Sequence, residues 1–125
     1  MIILDTDILI WVLRKNKEIK NKLIKATLET DGGLYITPIQ IAEIYAGIRP
    51  SEEKIIKKFL NSFNIIPIDV QIGELAGRFI NQYRKSHSVE IADAIIAAAS
   101  IVNNFKLWTL NKKHYPMIKK ENFYE

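Results

Sequence analysis

The sequence predicts an α/β fold, a sandwich of helices around a central parallel β-sheet of four to five strands. Short apolar runs alternate with longer segments whose apolar residues recur every three or four positions, which is typical of strands alternating with helices. The first run, Ile2 to Leu4, is apolar without interruption, as expected of a strand buried on both faces of a parallel sheet. We expect residues 1–125 to form a single domain.

Capping and turn residues divide the first half of the chain into its elements. Thr37 followed by Pro38 is a helix start, because proline fits the first helical position, and Gly47 is placed to end that helix. Asp7 is a possible N-cap of the helix after the first strand. We therefore predict strands at Ile2–Leu4 and Leu34–Ile36, and helices at Asp7–Lys15, Glu18–Glu29 and Ile39–Ala46.

The second half continues the alternation. Pro67 indicates an edge strand, because proline lacks the N–H that a central strand needs, and Asp69 caps the long helix that follows. The pair His87-Ser88 separates this helix from the next one, which is apolar almost all round. The predicted elements are a helix that begins at Ser51, a strand at Ile65–Ile68, helices at Val70–Ser86 and Val89–Asn103, a strand at Lys106–Thr109, a helical turn at Lys112–Tyr115 and a possible fringe strand at Phe123–Tyr124.

Composition excludes several classes of protein. The apolar fraction is 48%, as in ordinary globular domains, and the chain has no cysteine, which excludes disulfides, iron–sulfur clusters and thiolate zinc sites. No apolar run approaches the roughly 20 residues of a membrane span, and the first run lacks the basic residues that precede a signal peptide's apolar region. We expect a cytoplasmic protein with no membrane partner.

The net charge of +4, from 18 basic and 14 acidic residues, weakly favours a polyanionic partner. A lysine-rich solvated surface is the alternative. The basic residues fall into three groups, namely Arg14, Lys15, Lys17, Lys20, Lys22 and Lys25, then Lys54, Lys57 and Lys58, then Lys112, Lys113, Lys119 and Lys120.

Three acidic residues, far apart in the chain, lie in apolar surroundings. Asp5 follows the first strand, and ligands of open α/β sheets bind at the carboxyl ends of strands. Asp93 lies in a helix with no continuous polar face, where an unpaired carboxylate is costly. Glu43 lies near the middle of a helix that we expect to be largely covered. The alternatives are that Asp5 only caps a helix, that Glu43 lies on an exposed stripe, and that Asp93 is buried and satisfied by a nearby lysine or by helix N–H groups.

If these three carboxylates converge, they need a cation. Unit charges about 5 Å apart repel by roughly 3 kcal/mol per pair at an effective dielectric constant of about 20. Oxygen ligands without histidine or cysteine at ligand spacing select Mg²⁺ or Mn²⁺ rather than Zn²⁺. Such an ion beneath a basic surface is suited to hydrolysis of a nucleic-acid phosphodiester.

Four segments carry a resemblance to a known family. "IILDTD", "TPIQIAEIYAG", "IADAIIAAAS" and "LWTLNKKHYP", in this order and spacing, resemble the PIN-domain ribonucleases, and specifically the VapC-type toxins of toxin–antitoxin pairs. The resemblance implies an Mg²⁺- or Mn²⁺-dependent endoribonuclease that folds as a three-layer α/β/α sandwich and cleaves RNA. It also implies a homodimer that is neutralised by a cognate antitoxin protein. It also implies that Asp5, Glu43 and Asp93 bind the metal and that the hydroxyls of Thr6 and Thr109 bind a carboxylate or a bound water.

Asn111 departs from the pattern of many relatives, which have a fourth acid in this motif. Its amide oxygen can still bind a metal or orient water but adds no charge, so Asp7 or Glu90 are candidates to compensate. Glu90 precedes Asp93 by three residues and is expected on the same helix face, whereas Asp7 is also explained as a helix cap. We expect His87 and His114 to be solvent-exposed and without catalytic partners.

Three other functions compete with this prediction. The Asp-x-Asp of "LDTDIL" is found in phosphatases of the haloacid-dehalogenase type, although Asp93 is then unexplained. A phospho-acceptor receiver domain would use Asp69 and Lys112 but would leave Glu43 and Asp93 unexplained. A protein that binds RNA or a partner without cleaving it is favoured by Asn111 alone.

Overall fold

A four-stranded parallel sheet forms the centre of the molecule. The computed structural model describes residues 1–125. The strands are β1 (Ile2–Leu4), β2 (Leu34–Ile36), β3 (Asn64–Ile65) and β4 (Lys106–Trp108), in the spatial order β3-β2-β1-β4. All three neighbouring pairs are parallel, with Ile3 of β1 opposite Tyr35 of β2 and Leu107 of β4. The first strand is therefore an inner strand, as its unbroken apolar run predicts.

Six helices connect and cover the strands. They are α1 (Thr6–Leu13), α2 (Lys17–Glu29), α3 (Pro38–Ala46), α4 (Glu53–Leu60), α5 (Val70–His87) and α6 (Ile91–Asn103), with 3-10 turns at Pro50–Glu52, Lys112–His114 and Lys120–Asn122. No helix is both long and apolar enough to cross a membrane.

The sheet has an apolar core on each face. Ile2 and Leu4 belong to a core formed with α1 to α4, whereas Ile3 belongs to a second core formed with α5 and α6. Successive side chains of a strand point to opposite faces, so the three residues of β1 supply both cores. This arrangement confirms the predicted three-layer α/β/α sandwich.

Several predicted boundaries shift by a few residues. The N-cap of α1 is Asp5 rather than Asp7, because the helix begins directly at the end of β1. Glu90 is the N-cap of α6 and so precedes the helix on which it was expected. The strand predicted at Ile65–Ile68 is only Asn64–Ile65, although Ile66 N–H still donates to Ile36 at 2.8 Å; Pro67 has no N–H to extend the ladder.

The segment after β4 returns to the edge of the sheet. Phe123 forms a parallel bridge with Leu107, and the backbone N–H of Tyr124 donates to the Leu107 carbonyl at 2.8 Å. The fringe strand predicted at Phe123–Tyr124 is therefore present as a single bridge beside β4.

Candidate active site

Asp5 occupies the carboxyl end of the central strand and is held there by three hydrogen bonds. Its backbone N–H donates to the Trp108 carbonyl of β4 at 2.9 Å. Its Oδ1 accepts from the backbone N–H of Thr6, and its Oδ2 accepts from the Thr109 hydroxyl, each at 2.7 Å. Asp5 is 8% exposed. The capping interaction and the contact across the strand ends thus fix both oxygens of one buried carboxyl group.

Thr6 links this group to Glu43. The Thr6 hydroxyl donates to Glu43 Oε1 at 2.6 Å, so that the first residue of α1 and the middle of α3 meet. Glu43 is exposed rather than covered by its apolar neighbours, because those neighbours lie on the other faces of α3. The alternative that Glu43 lies on an exposed stripe is therefore confirmed, although its carboxylate still contacts Thr6, next to Asp5.

A buried glutamine positions α3, and sequence reasoning did not identify it. Gln40 is 0% exposed, and its Nε2 donates to the Leu4 carbonyl of β1 at 2.9 Å while its Oε1 accepts from the Thr37 N–H at 2.9 Å. These bonds tie the first turn of α3 to the central strand. Glu43 lies three residues further along the same helix, so Gln40 sets its distance from Thr6.

Asp93 lies in the first turn of α6 and faces the same region. Its side chain is 19% exposed and its Oδ2 lies 3.9 Å from His114 Nδ1. Burial raises the pKa of Asp93, the negative charge of Asp5 raises it further, and the Glu90 N–H and His114 act in the opposite direction. The N–H of Glu90 donates to Oδ2 at 3.4 Å, whereas Glu90 itself is exposed.

Asp7 is a second buried acid beside Asp5. Burial first, and then the charge of Asp5, raise the pKa of Asp7 to about 6. Its Oδ2 accepts from the Leu110 N–H at 3.0 Å and lies 3.4 Å from the Thr109 hydroxyl. Its Oδ1 is buried without a hydrogen-bond partner. Asp7 is therefore not the helix cap that the sequence suggested, and its carboxylate instead binds the segment after β4.

Asn111 and His114 complete one side of the cluster. The Asn111 N–H donates to the Thr109 hydroxyl at 3.0 Å, and its side-chain nitrogen lies 3.3 Å from His114 Nδ1. His114 thus contacts both Asn111 and Asp93, so the expectation that it has no partner at a catalytic site is wrong. The error arises because the 3-10 turn at Lys112–His114 folds back toward α6.

The cluster has the donor chemistry of a hard-cation site, but its carboxylates do not form a closed ligand cage. No three Asp, Glu or His side chains converge closely enough to hold a metal ion together. Oxygen donors predominate, two acids have raised pKa values, and Asp7 Oδ1 has no partner. Mg²⁺ commonly keeps several waters and binds through one or two carboxylates. These residues therefore fit a largely hydrated divalent cation rather than a dehydrated one.

The receiver-domain alternative is not supported by the position of Asp69. This residue is the N-cap of α5, where its Oδ1 accepts from the Ile72 N–H at 2.9 Å. It follows the edge strand β3 and not the central strand. Its carboxylate is thus used in capping and lies outside the cluster around Asp5.

The family model and the related sequences indicate the same family. Residues 2–119 match the family model of the PIN domain. The chain is 35% identical over 120 residues to Ribonuclease VapC10 of Mycobacterium tuberculosis, with 95% of this chain and 89% of that protein covered. It is 32% identical over 120 residues to Ribonuclease VapC1 of Methanocaldococcus jannaschii, with 94% and 81% covered.

Solved structures have the same fold. A chain of a toxin–antitoxin complex from Klebsiella pneumoniae superposes with a TM-score of 0.80 and 25% identity, covering 100% of this chain and 97% of that one. A chain of VapBC2 from Rickettsia felis, bound to a DNA fragment of its promoter, superposes with a TM-score of 0.74 at 22% identity, covering 98% of this chain and 96% of that one.

Proposed function

This chain belongs to the PIN-domain family, and we propose that it is a divalent-metal-dependent endoribonuclease that hydrolyses RNA phosphodiester bonds as the toxin of a toxin–antitoxin pair. Its relatives named Ribonuclease VapC support the nuclease activity. The observation that carries the proposal is the placement of Asp5, Asp93 and the Thr6–Glu43 pair at the carboxyl end of the central strand. We propose a cytoplasmic location, because RNA is the substrate.

Asp5 and Asp93 are the proposed direct ligands of Mg²⁺ or Mn²⁺, with Glu43 reaching the ion through a bound water. When bound, such an ion polarises the phosphate, lowers the pKa of a water and stabilises the leaving oxygen. The chain itself presents the Asp5 carboxylate in one orientation, because Thr6 and Thr109 each hold one of its oxygens at 2.7 Å.

The remaining candidate residues act by orientation. The Thr6 hydroxyl holds Glu43 at 2.6 Å, and Thr109 receives the Asn111 N–H while it donates to Asp5. Asn111 supplies an amide oxygen in place of a fourth carboxylate. We propose that this oxygen orients a water at the edge of the site, since it contributes no charge that would hold a second metal ion.

A cavity beside Glu43 is suited to the RNA backbone. It has a volume of about 410 Å³ and is lined on its polar side by Arg14, Lys15, Glu43 and Glu52. Arg14 and Lys15 follow α1, whose first residues lie in the acid cluster. We propose that these two cations bind phosphates next to the one that is cleaved, because phosphate contacts position a nucleic acid without reading its sequence.

Two protein partners belong to the proposal. The structural relatives from toxin–antitoxin complexes support a cognate antitoxin, and the resemblance to this family supports a homodimer. Sedimentation of the isolated chain tests the dimer, and a monomer at micromolar concentration would refute it.

Replacement of single carboxylates tests the nuclease activity. We expect Asp5→Asn and Asp93→Asn to reduce Mg²⁺- or Mn²⁺-dependent cleavage of end-labelled RNA by more than about a hundredfold, since they remove ligands rather than supporting groups. Glu74→Gln, an exposed change on α5, is the matched control and should leave cleavage unchanged. Undiminished cleavage by either cluster variant, with circular dichroism unchanged, contradicts the proposed site.

A second candidate is an RNA-binding protein that does not cleave. The specific observations in its favour are the amide at Asn111 and the lack of three converging carboxylates. Gel-shift and cleavage assays on the same RNA separate the two functions. Binding without metal-dependent cleavage would support this second candidate.

A further inference from the structure

The hydroxyl of Tyr115 is a buried polar group with no hydrogen-bond partner. The residue is 1% exposed and belongs to the apolar core that includes Ala94 and Ala97 of α6. Its backbone is fixed by the turn around it, since its N–H donates to Lys112 at 2.9 Å and its carbonyl accepts from Ile118 at 3.1 Å. The ring is therefore held in place by packing and by its backbone, without any contribution from the hydroxyl.

This hydroxyl faces the acid cluster. Burial raises the pKa of Tyr115 far above its usual range, and the carboxylates of Asp5, Asp93 and Asp7 raise it further, with Asp5 the strongest of the three. The phenol consequently remains protonated and can act only as a neutral partner of the acids. A protonated hydroxyl beside carboxylates is a hydrogen-bond donor directed at acceptors.

Asp5 can accept another hydrogen bond. Its Oδ1 receives the Thr6 N–H and its Oδ2 the Thr109 hydroxyl, whereas an ionised carboxylate offers about four acceptor positions. Two positions therefore remain, which can accept a further donor and a cation. Tyr115 is the buried donor next to this carboxylate that has no other partner.

We propose that Tyr115 is a positioning residue of this site, whose hydroxyl donates a third hydrogen bond to the Asp5 carboxylate and fixes the orientation in which that group meets a divalent cation. The hydroxyl makes no other hydrogen bond, and Asp5 acts on it both through its charge and as a hydrogen-bond acceptor. The inference rests on the proposed function in so far as Asp5 is taken as a metal ligand.

Packing alone does not account for the hydroxyl. Phenylalanine would fill the same space and leave no buried donor unpaired, so a tyrosine used only as a core residue is at a disadvantage. Groups that orient the ligands of a metal have a different effect, because their loss typically weakens metal affinity or activity about 10–100-fold. A positioning role predicts weaker metal affinity when the hydroxyl alone is removed, whereas a packing role predicts unchanged metal affinity.

Tyr115→Phe separates them in a measurement without RNA. We expect the dissociation constant for Mn²⁺, measured from the electron paramagnetic resonance signal of the free ion, to rise about tenfold. The Mg²⁺ concentration for half-maximal RNA cleavage should rise by a similar factor. Unchanged Mn²⁺ affinity, whatever the thermal midpoint, would show that the hydroxyl does not position Asp5 and would overturn the inference.

Tyr124→Phe is the matched control. The Tyr124 hydroxyl donates to Glu29 at 3.2 Å on the surface, and its ring packs against Trp108 with a centroid distance of 5.3 Å. Its removal should leave Mn²⁺ affinity unchanged. If the wild type binds Mn²⁺ but cleaves no RNA, the ribonuclease proposal fails, while the comparison of Tyr115→Phe with the wild type still decides the positioning role.

A second measurement needs no metal. In protein with selectively labelled tyrosine, the hydroxyl proton of Tyr115 should resonate downfield in the wild type and shift upfield in Asp5→Asn, because an amide oxygen is a weaker acceptor than a carboxylate. An unchanged resonance overturns the inference, and this test holds even if Tyr115→Phe does not fold.

Discussion

At the scale of single residues, Asp5 both caps α1 and belongs to the acid cluster. From its position in the sequence these two roles are alternatives. One oxygen caps α1 and the other holds the Thr109 hydroxyl, yet lone pairs on both remain available. Asp7, two residues later, makes hydrogen bonds through only one oxygen and has a raised pKa. Burial therefore makes the charged form of Asp7 costly when no cation is present.

Asp7→Asn should stabilise the metal-free protein at neutral pH. Below about pH 4 the carboxyl is protonated in both states. Between pH 4 and about 6 the unfolded chain loses the proton while the folded one keeps it, so stability falls as pH rises. Because Asp7 is partly exposed, we discount the full shift and expect a rise of roughly 4 °C in the thermal midpoint at pH 7.5, equivalent to about 1 kcal/mol.

The pH dependence of the stability gain shows whether it comes from the ionisation of Asp7 or from the Asp→Asn replacement itself. The gain for Asp7→Asn should nearly disappear at pH 4. Asp31→Asn, a change in an exposed turn, should show no gain at either pH. An equal gain for Asp7→Asn at both pH values would show that ionisation of the buried Asp7 carboxyl is not the cause.

Mg²⁺ should raise the thermal midpoint of the wild type more than that of Asp93→Asn. At about 100 times the dissociation constant, a ligand of the folded state adds about 2.7 kcal/mol of stability. A tenfold weaker site gains only about 1.4 kcal/mol at the same concentration. Thermal scans with and without Mg²⁺ measure the difference, and equal shifts for both proteins would argue against Asp93 as a ligand.

At the scale of elements, the site depends on how α3 and α6 are fixed to the sheet. Gln40 bonds α3 to the carbonyl of Leu4, and four alanines of α6 (Ala94, Ala97, Ala98 and Ala99) are fully buried, which allows this helix to pack closely. Glu43 and Asp93 are carried by these two helices. The distances within the cluster are thus set by contacts outside it.

Gln40→Leu should reduce both stability and activity. The change leaves the Leu4 carbonyl and the Thr37 N–H without their buried partner, which costs about 1–3 kcal/mol. Since α3 also carries Glu43, we expect cleavage to fall at a temperature where the variant is still folded. Urea unfolding and RNA cleavage measure the two effects. Gln82→Leu, exposed on α5, is the control, and equal results for both variants would contradict the role of Gln40.

The elements were largely predictable from local signals, whereas some of the contacts between them were not. Thr37 and Pro38 begin α3 and Gly47 ends it, because capping is decided within a few residues. The edge strand β3 is shorter than predicted, since its length depends on a neighbouring strand. Asp5 and Asp93 were identifiable as acids in apolar sequence. Gln40 and Tyr115 were not, because their roles depend on residues that are distant along the chain.

At the scale of the whole molecule, a chain with a net positive charge carries an acidic cluster. The net charge is +4, although part of the lysine group on α2 is paired with acids, as Lys22 is with Glu18 and Lys25 with Glu29. Arg14 instead lies over the ring of Trp11 at 5.6 Å and lines the cavity with Glu43. Arg14 is therefore a better candidate for RNA contacts than the paired lysines of α2.

Arg14→Ala should weaken RNA binding in a salt-dependent manner. Loss of one phosphate contact lowers the slope of log affinity against log salt concentration by about 0.7 for single-stranded RNA. Filter binding to the Asp5→Asn protein over a range of salt concentrations measures this slope without cleavage. Arg78→Ala on α5, on the opposite face of the sheet, should leave the slope unchanged. An unchanged slope for Arg14→Ala would exclude this contact.

The bridge between Phe123 and Leu107 has a consequence for how the molecule meets other proteins. It occupies the outer rim of β4, while the opposite rim offers only the two residues of β3 before Pro67 interrupts hydrogen bonding. Neither rim presents a long row of free backbone donors and acceptors. An incoming chain therefore gains little by adding a strand at either rim, and stable association has to use side chains on the helical layers.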